Sequence, residues 1–461
     1  MTRRISRRLA ASGAIALFAF PPAGVPATRE PAAVRAAFSV TTTDDSGAGS
    51  LRQAMLDANA DTSGPHVITF AVTGTITLAS SLPAVTQPTT ITGPGADQLT
   101  ITGNNTFGIF SVQSSLSISD ATIRGGFSPN AAFGGAFQVG GSLSVDRCLV
   151  RDNTSGAGGI GSGIAVLGGS ATIANSLFTN NAGVSVIHSG SLTLRNTTLS
   201  NNSGQGVYFF PDNGPVSVTL QNTTIADQNS AFLFDGRFGP MTLTIGNTIL
   251  ASTIQNALTV GATVPTIVSL GGNISSDGTL ALAGPGDVLG TNPVLAPLGN
   301  YGGTIPTRAL LPGSPAIDHG VATGAPAMDQ RGIARPQLAG IDTGAYESRG
   351  FTLAVSGGGS QSATVNTTFA NPLSVALAAN AAGEPVDGGR VSYVAPGSGA
   401  SASLAPNPAT IGAGVAGTTA TANGTVGSYT VVASSAGTPG PVNFALENMT
   451  TPVTLQAFDV E

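Results

Sequence analysis

Apolar and polar positions between residues 115 and 253 repeat as one twelve-residue phrase, written six times. The copies begin at Ser115, Ser142, Ser170, Ser191, Ser217 and Thr242, at spacings of 27, 28, 21, 26 and 25 residues. Three columns are apolar throughout. The second reads Leu116, Leu143, Ala171, Leu192, Val218, Leu243. The fourth reads Ile118, Val145, Ile173, Leu194, Leu220, Ile245, and the ninth Ile123, Val150, Phe178, Leu199, Ile225, Leu250. Positions two and four share a parity, as one buried strand face requires, while position nine has the other. A straight strand cannot turn all three inward, so the phrase predicts a bend between them. The sixth position holds Asp120, Arg147, Asn175, Asn196, Asn222 and Asn247. Asn and Asp tolerate the left-handed backbone of a sharp corner. Stacked amides can also bond one another, so Asp120, Asn175, Asn196, Asn222 and Asn247 are read as a structural ladder.

A third strand precedes the copies: GGAFQVGG from Gly134, GSGIAVLGG from Gly161 and AGVSVIHSG from Ala182. Three short strands in a variable period of 21 to 28 residues fit a right-handed parallel β-helix. A propeller blade needs about 40 residues, and a leucine-rich repeat keeps a stricter period. VITF, TITL, TTIT and LTIT are expected to form the first rungs and PTIVSLGGNISS the last, about nine in all by the period. GSLRQAMLDANA reads as a capping helix, with Leu51, Ala54, Met55 and Ala58 on one face and Asn59 with Gly64 to end it. From Phe351, PLSVALAAN, GRVSYVAP and GSYTVVASSAG alternate between turns at sandwich-like spacing.

Composition changes the picture in three ways. Gly is 63 of 461 residues and charge only 9%, yet 41% apolar content argues for a packed, mostly β chain. The start, MTRRISRR followed by LAASGAIALFAF, has the layout of a secretory signal peptide ending near Ala27. No later stretch approaches a membrane span, so no transmembrane segment is expected in the mature chain. All 17 basic residues are Arg; after the leader, 13 Arg face 23 acids, which repels phosphate backbones and excludes nucleic acid as a partner. Cys148 is the one cysteine, so no internal disulfide or cysteine metal site can form, and it reads as a buried structural thiol.

DDSGAGSLRQAMLDAN leading into HVITF resembles the opening of secreted bacterial β-helix proteins, with Gln53 where relatives carry an acid. NPVLAPLGNYGGTIPTRALLPGSPAIDHG, then MDQRGIARP and DTGAYE, resembles the choice-of-anchor Q region, over Asn292 to Glu347. Together the resemblance spans about 310 residues, Phe38 to Glu347. It implies a fold and an exported location, and little chemistry. Residues 351–449, with Tyr429 two residues before Val431, resemble a bacterial Ig-like domain of the invasin/intimin kind. VTLQAFDVE resembles the segment before a C-terminal sorting signal.

Catalysis on such a scaffold would need stacked carboxylates. A hydrolase needs two, roughly 5 to 9.5 Å apart; a lyase needs calcium-binding acids and a strong base. Asp152 and Asp227 share the eleventh column but lie three rungs apart, and Asp120 and Asp146 are expected to face different ways. The rung arginines, such as Arg151 and Arg195, share no column with an acid on an adjoining rung. His188 reads as a surface or satisfied residue, and no catalytic residue is assigned. The insertion loops FFPDNGP and FDGRFGP are where a site could still be completed. The densest charge, Asp318, Asp329, Arg331, Arg335, Asp342 and Glu347 with Tyr301 and Tyr346, reads either as a hydrogen-bonded cap over the last rung or as a ligand cluster. Arg can pair bidentately with these acids. Positions ten to twelve, as in Asn180-Asn181 and Asn201-Asn202, are expected to form a polar outer face able to hold an extended glycan through repeated weak contacts.

The expected plan is all-β. A signal peptide (1–27) and linker (28–37) precede an N-terminal cap with a capping helix (38–65). A right-handed parallel β-helix (66–290) and a choice-of-anchor Q-like C-terminal cap (291–348) follow, then an Ig-like β-sandwich (351–449) and a tail (450–461). The functional expectation is an exported, non-catalytic monomer at the cell surface or outside the cell, binding a glycan or surface protein. It uses no cofactor, with calcium the one metal the charged cluster could take. The alternatives are a polysaccharide lyase or glycoside hydrolase, and a structural spacer.

Overall fold

The computed structural model describes residues 37–130, 133–156 and 161–451. The expected signal peptide, nearly all of the linker and the tail from residue 452 lie outside the described residues.

Each phrase runs through two strands and two corners. Ser142–Asp146 pairs in parallel with Ser115–Ser119 on one side and with Ser170–Ala174 on the other, like positions in register. The same register continues through Ser191, Ser217 and Thr242. The chain is thus a parallel β-solenoid, with the second and fourth columns at 0 to 2% exposure. At the sixth position the backbone is left-handed in all six copies, φ 46° to 59°, Arg147 included. The seventh column, Ala121, Cys148, Ser176, Thr197, Thr223 and Thr248, is fully buried. Only small residues fit inside this corner. Their hydroxyls return to the carbonyl two residues back, as Ser176 to Ala174 (2.6 Å) and Thr197 to Arg195 (2.8 Å). Positions eight to ten form the second strand, one of nine in a parallel sheet that marks eight full turns from first to last.

Position eleven is a second left-handed corner: Asp152, Asn180, Asn201 and Asp227 have φ 54° to 60°. That corner resets the parity and corrects the expected outer face. Asn180 and Asn201 are exposed, but the twelfth column, Asn153, Asn181 and Asn202, points inward at 0 to 2% exposure. Asn153 Nδ2 donates to Asn181 Oδ1 (2.9 Å), Asn181 Nδ2 to Asn202 Oδ1 (3.1 Å) and Asn202 Nδ2 to Gln228 Oε1 (3.2 Å). Each of these amides also meets backbone, as where Asn181 Oδ1 accepts from Asn153 N (3.1 Å). The three buried Asn side chains are thereby satisfied.

The third strand does not always stand apart. In Ile164–Ala174 and Ser185–Arg195 it runs on into the first, bending at Gly168 and Gly190 rather than stopping. First and third rows therefore join in one fifteen-stranded sheet. Val207, Phe209, Phe232 and Phe234 fill the interior from this side.

The helix Leu51–Ala60 buries Leu51, Ala54, Met55 and Ala58, with the Ser50 hydroxyl accepting from Gln53 N as N-cap. It ends at Asp61, not at Asn59. Asn59 instead ties the next turn, donating to Ala84 O (2.7 Å) and accepting from Thr86 N (3.0 Å).

At the far end Leu280 and Leu282 enter the main core. Residues 291–348 lie along the flank, not only over the last rung, because the outer side of the nine-stranded sheet is itself apolar. Ile249 and Ile274 pack with Val294, Ala296, Ala309, Leu310 and Tyr346, and Leu177 packs with Ile305. Gly344 (φ 96°) comes so close that a Cβ there would sit 2.7 Å from Ile249 Cδ1. From Phe351 on, sheets of four and five strands enclose a separate core that includes Val375, Val391, Tyr393, Val431 and Phe444. Tyr429 Oη meets Asn448 Oδ1 at 3.1 Å. Among the described residues no helix is long and apolar enough to cross a membrane.

Candidate functional site

The sixth-column amides do more than stack. Asn196 donates to Asn175 Oδ1 (3.2 Å) and Asn247 to Asn222 Oδ1 (3.2 Å), while Asn175 donates to Asp146 (2.7 Å). Their remaining bonds stitch the flanking segment down: Asn196 to Met328 O, Asn222 to Asp342 O, and Asn247 to both O and N of Val321. Asp120 is held by Arg147 (2.7 Å), which also reaches Asp146. Two expectations are corrected here. A rung arginine does share a column with an acid on the adjoining turn, and Asp120 and Asp146 meet through it. Arg124, in the tenth column, lies 3.8 Å from Asp152 in the eleventh column of the next turn.

The predicted charged cluster comes together inside the flanking segment. Asp329, Arg331, Arg335 and Glu347 have side chains at 0 to 1% exposure. Arg331 pairs with Asp329 (2.7 Å), lies 3.5 Å over the Tyr346 ring and donates to Tyr301 O (2.8 Å). Arg335 pairs with Glu347 (2.7 Å). The carboxylates also accept backbone N–H groups: Asp342 from Asp318 and Ser348, Glu347 from Gln337 and Asp342, and Asp318 from Gly340. A participant absent from the sequence reading is Glu384, which takes Arg349 (2.8 Å) from the following unit and sits 3.6 Å from Arg331. Burial pushes Asp342 well above the ordinary carboxylate range, with Glu347 beside it, and burial pushes Glu347 up as well. Asp329, Asp342 and Glu347 face their partners and the backbone, not solvent, whereas Asp318 is exposed.

Beside this segment a cavity of about 490 Å³ opens where Ala226, Ala251, Ser252 and Ser276 meet Asn292, Leu295 and Arg308. Arg308 is committed within it, to Asp227, Ser200 Oγ (3.1 Å) and Ala296 O (2.9 Å).

The third side of the solenoid carries a different assembly, built by the two insertion loops. Strands Ser185–Arg195, Gln205–Phe209 and Ser230–Gly236 run in register, and alternation turns His188, Tyr208, Phe210 and Asp235 outward. The loops after Phe209 and Phe234 add Asp212, Arg237 and Phe238. His188, 4% exposed, meets Asp212 through Nδ1 at 2.7 Å, so it is a satisfied residue. Asp235 is buried under Arg237, which donates through Nε (2.7 Å) and a terminal nitrogen (2.5 Å), and it accepts Tyr208 Oη (2.9 Å). Arg237 and then Tyr208 hold the Asp235 carboxyl below its ordinary range, while burial and this carboxylate push Tyr208 up to about 12. Phe210 is the hub, 5.2 Å from His188, 5.3 Å from Tyr208 and 4.9 Å from Phe238. Phe238 is 52% exposed, with the Arg237 guanidinium 5.3 Å from its ring centre. An exposed ring rimmed by fixed donors and acceptors can stack on the C–H face of a sugar and bond its hydroxyls. Nothing in the phrase columns pointed here. The signal lay in the Phe-rich, charged loops that break the phrase. Among the described residues no three His, Cys, Asp or Glu side chains converge as a metal-holding group.

The model of the right-handed β-helix region matches residues 162–264. That span holds the fullest copies of the phrase and all of the aromatic corner. A crystal structure of jun a 1, the major allergen from cedar pollen, is similar at 17% identity and a TM-score of 0.33. It covers 50% of this chain and 77% of that one. So loose a likeness says nothing of chemistry. No curated protein matches the chain.

Proposed function

We propose that this chain is an exported, non-catalytic protein of the cell surface or its surroundings that binds a glycan at the Phe210–Phe238 corner. The carrying observation is Phe238, half exposed in the turn that follows Ser230–Gly236, with Phe210 4.9 Å and the Arg237 guanidinium 5.3 Å from its ring, and with the His188–Asp212 pair on the other side of Phe210. Export rests on the leader-like N-terminus and on the resemblance to secreted β-helix and choice-of-anchor Q proteins. We read the two-sheet unit 351–449 as Ig-like, a spacer or second adhesion module.

A hydrolase requires a carboxyl that holds its proton near neutral pH. The carboxyls pushed upward, Asp342 and Glu347, are sealed at 0 to 1% exposure, and Asp235 beneath the aromatic corner, equally buried, is pinned as a carboxylate by Arg237. This separation of proton-holding acids from the accessible surface supports binding over cleavage. Affinity electrophoresis through gels cast with neutral or acidic polysaccharides tests it. At least one polymer is expected to retard the native chain, and Phe238→Ala is expected to abolish most of the retardation without lowering the melting temperature. Equal retardation of both proteins would remove the corner from the binding face.

A further inference from the structure

We propose that the last turn of the solenoid, residues 254–271, is the interface for a second copy of this chain, related by a twofold axis. The surface adjoins the glycan corner, since Val260 and Gly261 pair with Asp235 and Gly236, but the inference does not depend on that reading.

Stacked parallel strands leave an unpaired edge at the final turn. Gln255–Gly261 pairs with Ser230–Gly236, and Thr266–Gly271 pairs with Met241–Gly246; each is the last strand of its row. Thr279 and Asp277 take the N–H groups of Ala257 (2.9 Å) and Asn256 (2.8 Å). Asp287 accepts the Ser269 hydroxyl (2.5 Å) and Pro285 O the Gly272 N–H (2.9 Å); between these ties neither strand has an outer neighbour strand among the described residues. Such edges are normally blunted by charge, proline or a cover.

Here the edge is apolar instead. Ile254, Leu258, Val260, Val264, Val268 and Leu270 are 40 to 77% exposed within one short stretch. The interior is open as well. Ala257 and Ile267 point inward but are half-buried, while their partners one turn earlier, Phe232 and Leu243, are fully buried. Leu280 and Leu282 close only part of the end. Exposed apolar side chains crowded into the last turn of an unfinished core mark a contact surface.

The occupant follows from charge and from the backbone. Residues 254–271 contain no Asp, Glu, Arg or His, in a chain whose net charge is −6. Two copies repel over most of their surfaces, and this patch, itself uncharged and bordered by Arg237 as well as by Asp277 and Asp287, is where they can meet with the fewest like charges opposed. An open strand edge needs another strand edge, and a twofold axis sets each edge antiparallel to itself, which closes the assembly at two. Stacking head to tail would instead place the patch on the opposite end, where the helix Leu51–Ala60 and its approach carry Asp44, Asp45, Asp57 and Asp61.

Sedimentation equilibrium of the full chain, across the micromolar range, tests the interface. A monomer–dimer equilibrium is expected. Val268→Asp and, separately, Val264→Asp put like charges across the axis and are expected to weaken association by more than about a hundredfold. Both sites are exposed, so circular dichroism melts of the variants are expected to match the native chain. A monomer at every concentration, a dimer indifferent to both substitutions, or oligomers that lengthen with concentration would each overturn the proposal.

Discussion

Replacing Asn181 with Ala probes the part of the solenoid most easily misread from sequence. Asn181 is 1% exposed, accepts from both nitrogens of Asn153 (3.1 and 2.9 Å) and donates to Val150 O (3.1 Å) and Asn202 Oδ1 (3.1 Å). Alanine leaves at least the Asn153 N–H and the Val150 carbonyl, both fully buried, with no side-chain partner. Each such buried group costs roughly 1–3 kcal/mol. The sum, about 2–6 kcal/mol, is a large fraction of the stability of an ordinary domain. Its neighbour Asn180 is the control: exposed, with φ 55°, it needs only a residue that accepts left-handed backbone. Asn180→Gly is expected to change stability by no more than about 1 kcal/mol. Urea unfolding followed by far-ultraviolet circular dichroism measures both, with equal m-values as the check that both unfold over the same surface. An Asn181→Ala loss no larger than that of Asn180→Gly would refute the interior ladder.

Three further outcomes test the flanking segment and the corners. Glu347→Gln strands the buried Arg335 guanidinium and is expected to destabilise the chain by about 3–5 kcal/mol, read in the same urea titration. Because burial raises the Asp342 carboxyl, the folded chain binds that proton more tightly than the unfolded chain does. Its contribution is therefore full below the ordinary carboxylate range and is lost as pH rises through the raised value. Calorimetric melts are expected to show the native-minus-Asp342→Asn difference shrinking over that window, and a difference that grows with pH would refute the assignment. The Cys148 thiol, pushed up to about 12 by burial, is expected to ignore Ellman's reagent at mildly alkaline pH until denaturant is added.

The solenoid was legible because stacking forces like positions into register. The second, fourth and ninth columns are apolar in every copy, and the sixth is a left-handed corner in every copy. What escaped was everything after a second parity change. The left-handed backbone at Asp152, Asn180, Asn201 and Asp227 turns the next residue inward, and an Asn column reads the same whether it faces water or core. The eighth column did carry a signal. Leu149, Leu177 and Ile249 are apolar beside an apolar ninth, where the other copies carry Thr, and this marks a sheet covered on both sides. The flanking segment supplies that cover, and its charged residues satisfy one another within it. The aromatic corner lies in insertions outside the period, where no column exists to align, so only proximity in the fold joins His188, Asp212, Asp235 and Phe238.

Glycan binding without cleavage at the exposed corner is what we propose for this chain. The most direct measurement incubates the chain with a panel of neutral and uronate-rich polysaccharides, following retention and released products together. The expected result is retention of at least one polymer that depends on Phe238, with neither new reducing ends nor unsaturated products. Product release by the native chain from any polymer it retains would contradict it.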